Sequence, residues 1–506
     1  MGTEQPHNSM GARGVTRPMM GGAMDHGEMS EEGTGDGDMG EMTPGMRAEM
    51  LRTHHGRTLW IHLLVVLLGV WLISSPFTFG YSNAGAEAAR VTAERGLPSI
   101  AARGAAMTWS DIVGGVLLVL FGMLSLNARR TWAPWAACFV GIWLLLAPLV
   151  IWAPTAGAYA NGTLIGTLVI ALTVLIPGMP GMISMMKMGP ETPPGWSYNP
   201  SSWLQRTPII ALGWVGFFLS RHLAAYQLGY VESAWDPFFG EGTMRVLDSE
   251  VSRAWPISDA GLGTVAYAIE ALMGYMGGTS RWRTMPWMVT FFGILVVPLG
   301  VVSITLVILQ PVMVGTWATL ALATAVAMLV MIPLTVDEVV AMGQFLVQSH
   351  RAGKPLWRTF WKGGTLEGGG EDERSPALTA PLTKTGPAMV WGVTVPWTLL
   401  ASAALGVWLM AAPAVFGMQG TAADSNHLLG ALIVTTAVIA MAEVARTGRF
   451  LNGLFGLWIM AAPWLLSGTA AGAASSNVIA GALIVLLSLP RGAVRERYGS
   501  WDRYVF

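Results

Sequence analysis

The chain has 506 residues, 53% of them hydrophobic and 12% charged, against about 25% charged in a soluble globular domain; its mean hydropathy is +0.51. Soluble architectures are thereby excluded, and a net charge of −1 leaves no basic footprint for nucleic acid. Cys138 is the sole cysteine, which excludes an intrachain disulfide, a CxxC pair and Cys-rich zinc or iron–sulfur sites.

In chain order, residues 1–50 come first, with 10 of the 31 Met and seven acidic residues between 25 and 41. This composition cannot bury a core and predicts a disordered tail. No apolar run of leader length occurs in it. Met24, His26 and Met29 set two thioethers and an imidazole close together, ligands suited to Cu(I). A copper-related role is one alternative function.

Twelve apolar stretches are long enough, or nearly so, to cross a bilayer as helices. They are 59–79, 109–127, 133–152, 162–184, 207–229, 258–278, 286–309, 312–334, 389–412, 427–445, 450–468 and 476–490. Residues 335–350 look like an amphipathic, interfacial continuation. The predicted fold is an all-α polytopic membrane protein, a four-helix bundle flanked by repeated helical hairpins. Lys and Arg cluster before span one and after spans two, four, six, eight, ten and twelve. The positive-inside rule then predicts both termini in the cytoplasm, and the expected setting is a bacterial inner membrane.

Four segments share a W-x4-P pattern: Trp71 to Pro76, Trp143 to Pro148, Trp408 to Pro413 and Trp458 to Pro463. Each is followed by a polar residue and a glycine: Asp111 with Gly115, Asn161 with Gly166, Asn426 with Gly430, Asn477 with Gly481. The expected physics is a helical hairpin. Proline ends the outgoing helix, Asn or Asp caps the returning one, and glycine lets the backbones approach. Two units fall in 51–190 and two in 389–490. The pattern resembles the SPW-repeat membrane proteins in a degenerate form: Ser75-Pro76-Phe77, Ala147-Pro148-Leu149, Ala412-Pro413-Ala414 and Ala462-Pro463-Trp464. The repeats run in one orientation with no broken midplane helix, which argues against a transporter.

Residues 205–350 differ from the flanks. They hold four spans, with a polar, Gly-rich loop at 230–257 and Asp259 as a candidate cap for the next helix. The run Trp317-Ala318-Thr319-Leu320-Ala321-Leu322 resembles the W-C-T-L-C-L environment of the vitamin K epoxide reductase family, with alanine at both cysteine positions. The resemblance implies a four-helix bundle around a quinone. It would place Trp317, Thr319, Phe238, Phe239 and Tyr267 beside that ligand. The family's loop pair would fall, by offset, on Gly240 and Asp248, neither a cysteine. Thiol–disulfide exchange needs a thiolate, so the implied role is quinone or lipid binding without turnover. The alternatives are an active oxidoreductase seen as a Cys-to-Ala variant and a structural membrane partner. Arg221 and Glu270 are expected to form a buried ion pair, and Glu443 with Arg446 an i,i+3 pair. Residues 351–388 read as a cytoplasmic linker and 491–506 as a basic tail.

Overall fold

The computed structural model describes residues 44–175, 189–468 and 471–505. Met24, His26 and Met29 lie outside them. The first block holds α1 (Pro44–Phe79), α2 (Ala86–Glu94), α3 (Ile100–Ser125), α4 (Ala133–Val150) and α5 (Ala156–Ile170), the last prolonged by a π-turn to Leu175. The central block holds α6 (Trp203–Gln227), the short α7 (Gly242–Leu247) and α8 (Glu250–Arg253), α9 (Asp259–Tyr275), the one-turn α10 (Arg281–Thr284), α11 (Pro286–Leu309) and α12 (Thr319–Arg351). After α13 (Leu356–Lys362) and α14 (Leu382–Ala388) come α15 (Trp397–Phe416), α16 (Gly420–Ile439), α17 (Arg449–Leu465), α18 (Ala471–Ser488) and the terminal α19 (Asp502–Val505). Among the described residues nine helices are long and apolar enough to cross a membrane. The other three anticipated positions carry the shorter α9, α17 and α18, of 17, 17 and 18 residues.

The repeat physics holds in part. Each outgoing helix carries a glycine two residues before its Trp, and that glycine meets the predicted glycine of the returning helix. The pairs are Gly69–Gly115, Gly141–Gly166, Gly406–Gly430 and Gly456–Gly481, where an added Cβ would lie 2.6–3.1 Å from the partner's carbonyl oxygen. Only glycine permits such backbone contact. The polar residues, however, are not caps. Asp111, Asn161, Asn426 and Asn477 sit inside helices that begin earlier, and Ser99 and Thr155 cap α3 and α5. They tie one hairpin to the next instead. Asn426 and Asn477 exchange amide hydrogen bonds of 3.0 and 2.9 Å, whereas Tyr81 stands between Asp111 and Asn161, donating to Asp111 at 2.6 Å.

The repeat tryptophans cross the same seam. Trp143 Nε1 donates to Ser110, Trp408 to Ser476, Trp458 to Ser425 and Trp71 to Asn161, at 2.9–3.1 Å. Each indole therefore links its own hairpin to the neighbouring one. The prolines lie within the last helical turn rather than after it. A proline frees the carbonyl four residues back. Ser75 Oγ fills that need by donating to Leu72 O at 2.8 Å, which gives the Ser-Pro pair a physical purpose.

In the central block, α6 packs against α9 and α12, and α12 against α11, closing a four-helix bundle. Its core is continuous with the first repeat block through Cys138, Leu145, Trp152 and Tyr159. Residues 335–350 continue the eighth predicted span without a break. They lie in α12 and bury Asp337, Glu338, Ala341, Met342 and Phe345. Around them the basic loops fold together into one polar assembly. Trp196 bridges Tyr498, Thr192 bridges Gly370 and Val393 bridges Ala442. Tyr198 donates to Asp337 at 2.7 Å, and Arg374 pairs with Glu496 at 2.5 Å. The expected Glu443–Arg446 pair is replaced by two separate sets of bonds. Glu443 accepts from the Arg495 and Glu496 amides and Tyr498, while Arg446 donates to backbone carbonyls of Arg491 and Met441.

Candidate ligand cavity

The π-turn Gln310–Val314 ends α11, and Gly315, at φ 75°, reverses the chain toward α12. Gln310 holds this turn at two points. Its carbonyl accepts the Gly315 amide and its Oε1 accepts the Ala318 amide, both at 2.9 Å. Ala318 occupies the N-cap of α12 but has no side chain to cap with. Asp236, from the α6–α9 loop, does so from a distance, taking the Thr319 hydroxyl at 2.5 Å and its amide at 3.3 Å. A carboxylate at a helix N-terminus also meets the positive end of the dipole.

The same carboxylate accepts from Phe239 N at 2.9 Å and from the Thr243 hydroxyl at 2.7 Å. Desolvation works to raise its pKa, but the hydrogen bonds from Thr319, Thr243 and Phe239 outweigh that and hold it well below the usual carboxylate range. The clamp is therefore intact above the ordinary carboxylate range and is released only as pH falls through the depressed value. Asp236→Ala is expected to speed hydrogen exchange across 236–248 at neutral pH. In the wild type, protection should stay level from pH 7 down to about 4. Equal exchange in the two proteins would remove the clamp from the account.

Beneath the turn, between α6, α9, α11 and α12, lies a cavity of about 120 Å³. A cavity of about 150 Å³ holds one benzene in another protein, so the space is ring-sized. Ser220 of α6, Tyr267 of α9, Ser303 of α11, Gln310 of the π-turn, and Ala321 and Thr324 of α12 line it, with Val246, Leu247, Ser249, Val251 and Ser252 from the loop. Tyr267 is buried and donates to Thr324 O at 2.6 Å.

Of the five ligand contacts anticipated, the cavity wall contains Tyr267 alone. Trp317 stands edge-on to His427 of α16 at 5.8 Å, Thr319 is engaged by Asp236, and Phe238 is 78% exposed. Phe239 is also exposed. Ala318 is fully buried, and Ala321 of the same motif faces the cavity. Gly240 has a φ of 63°, and Asp248 accepts from Tyr226 at 2.7 Å. Sequence reasoning missed Ser220, Ser303 and Gln310. The usable signal was a lone amide in an apolar run, with a serine seven residues earlier on the same face.

The Arg221–Glu270 pair is not formed. α6 and α9 run antiparallel with Gly213 against Ala271 and Gly216 against Tyr267. Glu270 therefore faces the level of Gly213, about eight residues, or about 12 Å, from Arg221. Arg221 lies over the Tyr159 ring at 5.8 Å, and neither Glu270 oxygen has a hydrogen-bond partner among the described residues. The buried ion pair is Arg281–Glu338, at 2.6 Å. Asp259 likewise is not the α9 cap. Ser258 caps it, and Asp259 accepts from Gln227 at 2.5 Å.

Apolar helices, repeated hairpins and a four-helix bundle around a ring-sized cavity define a multi-pass membrane protein. Residues 207–336 match the vitamin K epoxide reductase family, and 396–490 match the SPW repeat domain. No curated protein and no solved structure matches the chain. The chain is thus a membrane protein that carries a domain similar to the vitamin K epoxide reductase family and, after it, a segment similar to the SPW repeat domain.

Proposed function

We propose that this chain holds a quinone, or a similar planar lipid, without turning it over, in the cytoplasmic membrane of a bacterium with both termini inside. The observation that carries the reading is Ala321, at one of the motif's two cysteine positions, on the wall of a ring-sized cavity that Gln310 and Ser220 also line. A quinone supplies a two-electron acceptor. The residues here offer it shape, a Tyr267 ring and hydrogen bonds, but no dithiol. Cys138 lies in α4, buried in the wall between repeat and bundle, and one sulfur cannot cycle as a pair. The gathering of Arg206, Arg281, Arg446 and Arg449 in one assembly supports a single cytoplasmic side.

The test is a titration of a short-chain naphthoquinone into nanodisc-embedded protein, read by tryptophan quenching. Saturable quenching, abolished by Ala321→Phe filling the cavity, is expected. Unsaturable quenching, or an unaffected variant, overturns the reading. The matching residues around Ala318 and Ala321 favour, as a second reading, a Cys-to-Ala variant of an active oxidoreductase. Cysteine codons at 318 and 321 in the native gene would establish it.

A further inference from the structure

Gln310 is 3% exposed, yet only half of its amide is used. Oε1 accepts the Ala318 amide, while Nε2 has no partner among the described residues and the side chain lines the cavity. Ser220, 4% exposed, also lines the cavity and makes no hydrogen bond to them. Ser303 lies two turns below Gln310 on the same wall and is likewise unpaired. Buried polar groups in apolar surroundings are normally satisfied. Two of them, Gln310 and Ser220, left open toward one ring-sized space with the half-buried Ser303 beside them, describe a recognition surface. The π-turn is a rare geometry, often found at functional sites, and it begins at Gln310.

The amide is directional. With Oε1 committed to Ala318, the side chain can offer the cavity only a donor. A ligand atom opposite Nε2 must therefore accept. A quinone carbonyl accepts with both lone pairs, whereas a quinol hydroxyl oxygen is the weaker acceptor and must turn its own hydrogen away from Nε2. We infer that Gln310 makes this site selective for the oxidised, carbonyl form of its planar ligand, with Ser220 and Ser303 tolerant of either form. The inference rests on the quinone-binding reading and adds a redox-state preference to it.

The experiment is a pair of titrations, with a short-chain naphthoquinone and with its dithionite-reduced quinol, on wild-type protein, Gln310→Glu and Ser303→Ala in nanodiscs. In its ionised form the introduced carboxylate would keep an oxygen for the Ala318 amide and have no donor, so the turn survives while the selectivity goes; the titrations are therefore run across a pH series. The wild type should bind quinone about fivefold or more tighter than quinol, the worth of one hydrogen bond. Gln310→Glu should abolish or invert that ratio, and Ser303→Ala should weaken both forms alike. Equal wild-type affinity for the two forms, or an unchanged ratio in Gln310→Glu, overturns the inference while leaving quinone binding intact. Binding of neither form by the wild type overturns both.

Discussion

Glu338→Ala is expected to destabilise the central bundle by about 3–5 kcal/mol, the cost of breaking a buried ion pair from one side. Glu338 is 3% exposed and Arg281 fully buried. The guanidinium grips the carboxylate with Nε and Nη2, both at 2.6 Å, and Ser201 adds a third bond at 2.5 Å. Nη1 of Arg281 reaches the Met273 and Met276 carbonyls at the end of α9, at 2.9 and 3.2 Å. Arg206, 1% exposed, uses the same end, reaching Met276 and Gly277 at 3.1 Å. Removing Glu338 would leave two buried guanidiniums facing each other with their nearest counter-charge gone. Glu270→Gln is the contrasting case. Neither of its oxygens accepts a hydrogen bond from the described residues, so the neutral isostere should fall within about 0.5 kcal/mol of wild type or above it. Thermal unfolding in detergent, followed by tryptophan emission, reads both. A Glu338→Ala protein as stable as wild type would contradict the assignment.

Gly430→Ala should cost about 1–3 kcal/mol, the range for overpacking a fixed contact. The new methyl would lie 2.6 Å from the Gly406 carbonyl oxygen and 3.1 Å from the Met410 amide nitrogen. Both obstacles are backbone, so α15 and α16 must separate, and the Trp408–Ser476 and Asn426–Asn477 bonds across the seam stretch with them. Gly343→Ala is the matched control. It lies inside α12 with nothing within 4 Å, and replacing a helical glycine by alanine should stabilise by up to about 1 kcal/mol. The two variants should move melting temperature in opposite directions; movement in the same direction would show that the glycine pairs are not what seats the hairpins.

Much of the architecture was written in hydrophobic runs, because a bilayer forces its spans to be helices. The returning glycine of each pair was legible for the same kind of reason: backbone contact admits only one residue type. What escaped depended on register and on distant partners. Arg221 and Glu270 look paired on paper, and only the alignment of Gly216 with Tyr267 separates them. Glu338 reads as a boundary residue, yet its partner Arg281 comes from a one-turn helix 57 positions away. Asp111 and Asn426 have the chemistry of caps, but Ser99 and the longer helices put them a turn or more inside. At the cavity, an aromatic near a motif is a weak guide. Phe238 and Trp317 point elsewhere, while Gln310 and Ser303 share a helix face that ordinary spacing could have revealed.

The central claim is that this bundle presents a ligand cavity without thiol chemistry. It is tested most directly by mixing purified, nanodisc-embedded protein with a reduced dithiol peptide and excess naphthoquinone, and following peptide disulfide against time. The rate should equal that of empty nanodiscs at every protein concentration. A rate that rises in proportion to protein, with the quinone consumed mole for mole, would contradict it.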